Sequence, residues 1–106
     1  MTEACGAPAA DPRIDAVLAL CDAAYDEVRR LGAVHDEARM QDIIDRLHAL
    51  APVYADALTV PKALAGVLFD LSTALYSAAD TTDEARCQAA FAWFDEFCDA
   101  ARGVLN

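Results

Sequence analysis

Apolar residues in this chain recur every three or four positions, and nowhere do they alternate with polar ones at the period of a strand. No Asn-Gly or Asp-Gly hairpin turn breaks the pattern. That periodicity restricts the chain to helices, and proline and glycine divide it into four. The first spans about Pro12 to Leu31, with Asp11 suited to the N-cap, Pro12 to the first helical position and Gly32 to a left-handed close. Its stripe reads Ile14, Val17, Leu18, Cys21, Ala24, Tyr25, Val28 and Leu31. The second begins within two or three residues of Gly32 and runs to about Leu50. Met40, Ile43, Ile44, Leu47 and Leu50 form its stripe, continued by Tyr54 and Leu58. Pro52 interrupts that line, removing a backbone donor and crowding the carbonyl of His48, so a kink or a new short helix is expected there.

The third segment, about Pro61 to Ala79, opens on a proline. The fourth, about Asp83 to Arg102, opens with a T-x-x-E capping box from Thr81 to Glu84 and closes at Gly103. Its stripe reads Cys87, Phe91, Phe94, Cys98, Ala101 and Leu105. Twenty-five alanines favour helix and close helix approach. With connections that read as short, the expected fold is all-α: an antiparallel up-down-up-down four-helix bundle, its second helix kinked or broken at Pro52. At 106 residues the chain makes one domain over 11–106, preceded by a flexible tail at 1–10.

Charge narrows the function. Eighteen acids against eight bases give a net charge of −10. Direct nucleic-acid binding through general basicity is excluded, because displacing counterions from phosphates takes Lys and Arg. Docking on an anionic membrane is disfavoured for the same reason. The first ten residues lack the basic and apolar regions of a signal peptide. The most apolar run, 63–79, contains Asp70, Ser72, Thr73 and Ser77 and falls short of the roughly 20 apolar residues of a span. A cytoplasmic protein is expected. No pair among Cys5, Cys21, Cys87 and Cys98 has C-x-x-C spacing. Cys21, Cys87 and Cys98 fall on apolar stripes and read as reduced core thiols, with Cys5 in the tail the most reactive.

Catalytic templates are missing: there is no G-x-G-x-x-G, P-loop, G-x-S-x-G or H-E-x-x-H. Two histidines and one lysine leave few acid–base parts, so no enzyme and no cofactor are expected. The nearest approach to a metal motif is Asp45-x-x-His48. Asp45 lies about 160° from its helix's stripe at 100° per residue, and no partner motif exists, so no metal site is expected.

The acidic surface is the strongest departure from an ordinary domain. Asp15, Asp22 and Asp26 share one side of the first helix, Asp42 and Asp45 lie opposite the core on the second with Asp56 near them, and Asp95 and Asp99 gather with Glu96 on the fourth. Asp22 and Asp26 stand about 6 Å apart along the axis, against about 6.8 Å for two phosphate steps of a DNA strand. Such rows imitate a phosphate backbone and suit a basic protein partner, such as the groove of a nuclease, CRISPR effector or DNA-binding regulator. The competing reading is a solvated face serving solubility. Thirteen of the acids are Asp, a poorer helix former than Glu, which favours short, rigidly placed carboxylates or reflects codon usage.

The third segment departs in the other direction. Leu64, Val67, Leu68, Phe69, Leu71, Leu75 and Tyr76 spread around most of its wheel, so either the other helices wrap it or a second subunit covers it. Gly66 suggests close backbone contact. Trp93, about 90° off its own stripe, is either a core-rim residue or an interface anchor. In size, charge and helical character the chain resembles small, acidic bacterial or phage inhibitors and immunity proteins. The expected function is therefore a non-enzymatic binding protein whose Asp15, Asp22, Asp26, Asp42, Asp45, Asp95 and Asp99 supply charge around Trp93 or Phe69. The alternative is a homodimeric assembly module using the third helix as its interface. A small-molecule pocket near Pro52 is a third possibility.

Overall fold

The computed structural model describes residues 11–106; the expected tail, with Cys5, lies outside them. The described residues contain no strand and form α1 (Pro12–Leu31), α2 (Glu37–Leu50), α3 (Lys62–Ala78) and α4 (Glu84–Leu105), an all-helical arrangement compatible with a bundle. α1 packs on α2 and α3, and α4 packs on the same two, whereas the backbones of α1 and α4, and those of α2 and α3, stay apart. The consecutive pairs α1–α2 and α3–α4 are therefore neighbours, whereas the consecutive pair α2 and α3 lies on a diagonal. The link crossing it, residues 51–61, is longer than the short connection expected.

Local chemistry sets the ends. Asp11, Asp36 and Asp83 each cap a helix, accepting from the backbone N–H of Arg13, Arg39 and Arg86 at 2.9, 3.0 and 3.1 Å. Gly32 closes α1 at φ 70, the left-handed region that favours glycine. α2 starts later than expected because Glu27 of α1 reaches into the connection. Its Oε1 accepts from the N–H groups of His35 and Asp36 at 3.0 and 3.1 Å, which holds these residues out of the helix. α2 stops at Leu50, two residues before Pro52, and turns follow in which Val53 and Tyr54 donate back to Leu50 O. No helix resumes before Lys62, and Leu58, expected to extend the α2 stripe, is fully exposed.

Two further boundaries differ. The α4 cap is Asp83 rather than Thr81, whose hydroxyl instead accepts from Asp83 N–H at 3.2 Å. α4 also runs through Gly103 to Leu105. A Cβ on Gly103 would stand 3.6 Å from the Ala51 Cβ, so the glycine lies where α4 passes close to the end of α2.

One core cluster draws on all four helices. The α2 stripe is buried as expected, from Met40 to Leu50, and α1 buries Ile14, Val17, Cys21, Ala24 and Val28. Leu18 and Tyr25 are only partly buried and Leu31 is exposed. α4 is rotated about 80° from the expected stripe, at 100° per residue. It buries Ala90, Phe97, Ala100, Ala101 and Val104, while Phe91 and Leu105 are exposed and Cys87, Phe94 and Cys98 are intermediate. Apolar residues surround most of α4, so several stripes fit its pattern equally well. The stripe that packs sets small alanines against the neighbouring helices and inserts one large side chain, Phe97, between them.

Candidate functional site

The seven aspartates expected to bind do not form one row. On α1, Asp15, Asp22 and Asp26 are exposed and lie within about 40° of one another on the wheel. They follow the flank of Arg29, which lines a cleft of about 180 Å³ with Phe69, Asp70 and Thr73 of α3. Asp42 belongs to the other side, on the flank of α2 where Arg39 pairs with Glu27 of α1 at 3.0 Å. Asp45 is exposed on α2 and accepts from the Gln41 amide at 3.0 Å. Asp95 and Asp99 are exposed on α4, diagonal to α1.

Two of the seven are ion-paired within their own helices, Asp26 with Arg30 and Asp42 with Arg46, each at 3.0 Å. Asp15, Asp22, Asp45, Asp95 and Asp99 have no ion pair among the described residues. Two further arginines are engaged by neutral partners. Arg29 donates to the Tyr25 hydroxyl at 2.7 Å and lies over its ring, and Arg86 donates to the carbonyls of Leu31 and Gly32. Glu27 is the most engaged carboxylate. Burial pushes its carboxyl up, but the amides of Asp36 and His35 and the Arg39 guanidinium outweigh that and hold it below its ordinary value.

The two expected anchors are not brought together. Trp93 is half-buried against the core and lines a cavity of about 250 Å³ with Val34, Glu37, Arg86 and Ala89, on the α2 side of α4. Phe69 is 69% exposed on α3. Two further aromatic rings are exposed, the first of them part of the apolar excess of the third helix. Tyr76 is 59% exposed, and Phe91, assigned above to the core, is 41% exposed. Tyr76 meets Phe91 edge-on at 6.1 Å and Phe94 at 5.4 Å, between ring centroids. With Ser77, Ala79 and Asp80 the Tyr76–Phe91 pair lines a cavity of about 410 Å³. The outward side of α3 is thus an aromatic ridge between two clefts. The expected wrapping of α3 by the other helices stops at Leu64, Leu68, Leu71, Ala74 and Leu75. Gly66 makes no close contact, since a Cβ there would meet nothing within 4 Å.

Among the described residues no group of three or more His, Cys, Asp or Glu could hold a metal, and His35 and His48 are exposed. Cys21, Cys87 and Cys98 are free. Burial, with Asp22 adding to it, pushes the Cys21 thiol up to about 12, and burial also raises that of Cys98. Cys21 and Cys98 are thereby held protonated, the opposite of an activated nucleophile. No helix of the described residues is long and apolar enough to cross a membrane. Comparison with known proteins finds no matching family model, no similar curated protein and no similar solved structure.

Proposed function

We propose that this is a non-enzymatic acidic binding protein that docks on a basic protein partner as an inhibitor or immunity protein does. A nuclease, CRISPR effector or DNA-binding regulator suits its charge best. The observation that carries this reading is the set of exposed carboxylates without cation partners, Asp15, Asp22, Asp45, Asp95 and Asp99. Unpaired surface charge of one sign steers association and makes it salt-sensitive. The α1 row is the leading contact line, with Asp26 contributing less because Arg30 already faces it. In the bundle we infer, consecutive helices alternate in direction. Arg86, in the first turn of α4, reaches the end of α1, and Gly103, near the end of α4, lies against the residue that ends α2.

The test is capture of a nucleic-acid enzyme from host extract at low salt and its release at about 0.5 M salt, where the Debye length is only several ångströms. The Asp15→Asn/Asp22→Asn and Asp22→Asn/Asp26→Asn variants should each weaken capture. Salt-independent capture, or unchanged capture by both variants, rejects the reading. A homodimeric assembly module is a second reading, favoured by the exposed Phe69 and Tyr76 on α3.

A further inference from the structure

The outward stripe of α3 runs Lys62, Gly66, Phe69, Thr73, Tyr76, Asp80, at alternating steps of four and three residues. That is the heptad spacing of a coiled-coil seam, here turned away from the protein's own core. From Lys62 to Tyr76 each stripe residue is exposed, and Asp80 is exposed just past the helix end. A helix supplying a second, outward seam has room for another helix on that side.

The stripe is complementary to itself when reversed. About a centre at residue 71, an antiparallel copy sets Lys62 opposite Asp80, Gly66 opposite Tyr76 and Phe69 opposite Thr73. Charge meets opposite charge at both ends. The large exposed ring of Tyr76 meets the one position without a side chain, where a Cβ would touch nothing within 4 Å. Lys62, the only lysine in the chain, is exposed and has no ion pair among the described residues. On a chain of net charge −10, α3 carries only Lys62 and Asp70, so two copies meeting here bring few like charges into direct contact, and the repulsion that remains comes from the rest of each acidic surface. A two-fold axis demands this kind of reciprocity.

We infer that α3 pairs with α3 of a second copy of this chain, antiparallel about residue 71, with Tyr76 seated over the partner copy's Gly66 position and Lys62 beside its Asp80 position. This rests on the assembly reading above and is independent of the acidic one. Because each copy is strongly acidic, added salt strengthens this association, whereas it weakens docking on a basic partner.

Sedimentation equilibrium of the full chain should give twice the 11.3 kDa monomer mass, with the dimer favoured between low salt and about 0.5 M. Gly66→Leu should weaken the dimer at least tenfold while the thermal midpoint of the dilute monomer holds or rises. Lys62→Asp and Asp80→Lys should each weaken self-association a few-fold. An equimolar mixture of those two variants should restore it as a heterodimer, because each then offers the charge the other lacks. A monomer at all salts and at hundreds of micromolar protein overturns both the pairing and the assembly reading. A dimer indifferent to Gly66→Leu, or a mixture no tighter than its components, overturns the pairing and leaves the assembly reading standing. Neither result touches the acidic reading, whose partner assay is separate.

Discussion

The α1–α2 pair and the α3–α4 pair of this protein finish their surfaces differently. α1 and α2 pair part of their charge locally, through Asp26–Arg30, Asp42–Arg46, Asp36–Arg39 and the Glu27–Arg39 pair that joins the two helices, and leave Asp15, Asp22 and Asp45 unpaired among the described residues. α3 and α4 show no ion pair among the described residues and expose Phe69, Tyr76 and Phe91 instead. The lesson concerns alanine-rich helices. Where the apolar residues form one narrow stripe, burial takes most of it and the remainder can be polar. Where they surround the helix, packing can use only one side, and the other side is left for solvent or for another molecule.

The sharpest test of that contrast compares two phenylalanines. Phe97 is fully buried, so Phe97→Ala should cost about 3–5 kcal/mol in urea unfolding. Phe69 stands mostly in solvent, and Phe69→Ala should stay within about 0.5 kcal/mol when measured at dilute protein. Comparable losses in both would mean that α3 has no spare face. Next in size is Glu27→Gln, which removes charge from the hydrogen bonds that join α1 to the start of α2. A loss of about 2 kcal/mol at pH 7 is expected, in the range for hydrogen bonds to charged groups. The Glu27 carboxyl is held below its ordinary 4.5, so its contribution is complete above that value and disappears as pH falls through the lower folded-state value. Wild type and variant should therefore converge in acid. A gap that persists at pH 2 would assign the loss to packing instead.

How far the sequence was legible follows the same division. α1 could be read almost to the residue, and α2 at its stripe and its end, because Asp11, Gly32 and the α2 stripe are unambiguous signals; the α2 start was not legible, because Glu27 of α1 sets it. α4 could not, because a wheel carrying Ala85, Ala89, Ala90, Phe91, Ala92, Trp93, Phe94 and Phe97 fits more than one inward side. Only the shapes of neighbouring helices decide among them. That ambiguity hid Phe97 in the core and Phe91 on the surface. The α3 excess was legible as an excess, but not the direction in which it pointed. Among the acids, exposure could be read from the wheel. Their distribution over α1, α2 and α4 could not, since it depends on which helices share an edge.

Glycines give a smaller and opposite pair of effects. Gly66→Ala adds a Cβ to open space in an exposed helix interior and should stabilise the dilute monomer by about 1 kcal/mol. Gly32→Ala places a side chain at φ +70, with its Cβ 3.3 Å from Arg86 Nη2, and should destabilise by at least about 1 kcal/mol. Thermal melts at low concentration separate them. Equal signs would mean that the α1 close tolerates a side chain.

The smallest effect belongs to the ion-paired surface. Asp26 and Arg30 are exposed at 68% and 63%, so their attraction acts mostly through water and is further weakened by salt. Arg30→Gln should change stability by at most about 0.5 kcal/mol, the scale of an i,i+4 helix pair, and by less at high salt. Its effect on binding should be larger in proportion. Freeing Asp26 extends the α1 row that begins with Asp15 and Asp22, so the variant should associate faster with a basic partner at low salt and lose that advantage at high salt. A slower rate would mean that Arg30 itself contacts the partner and that α1 offers a mixed surface rather than an acidic one.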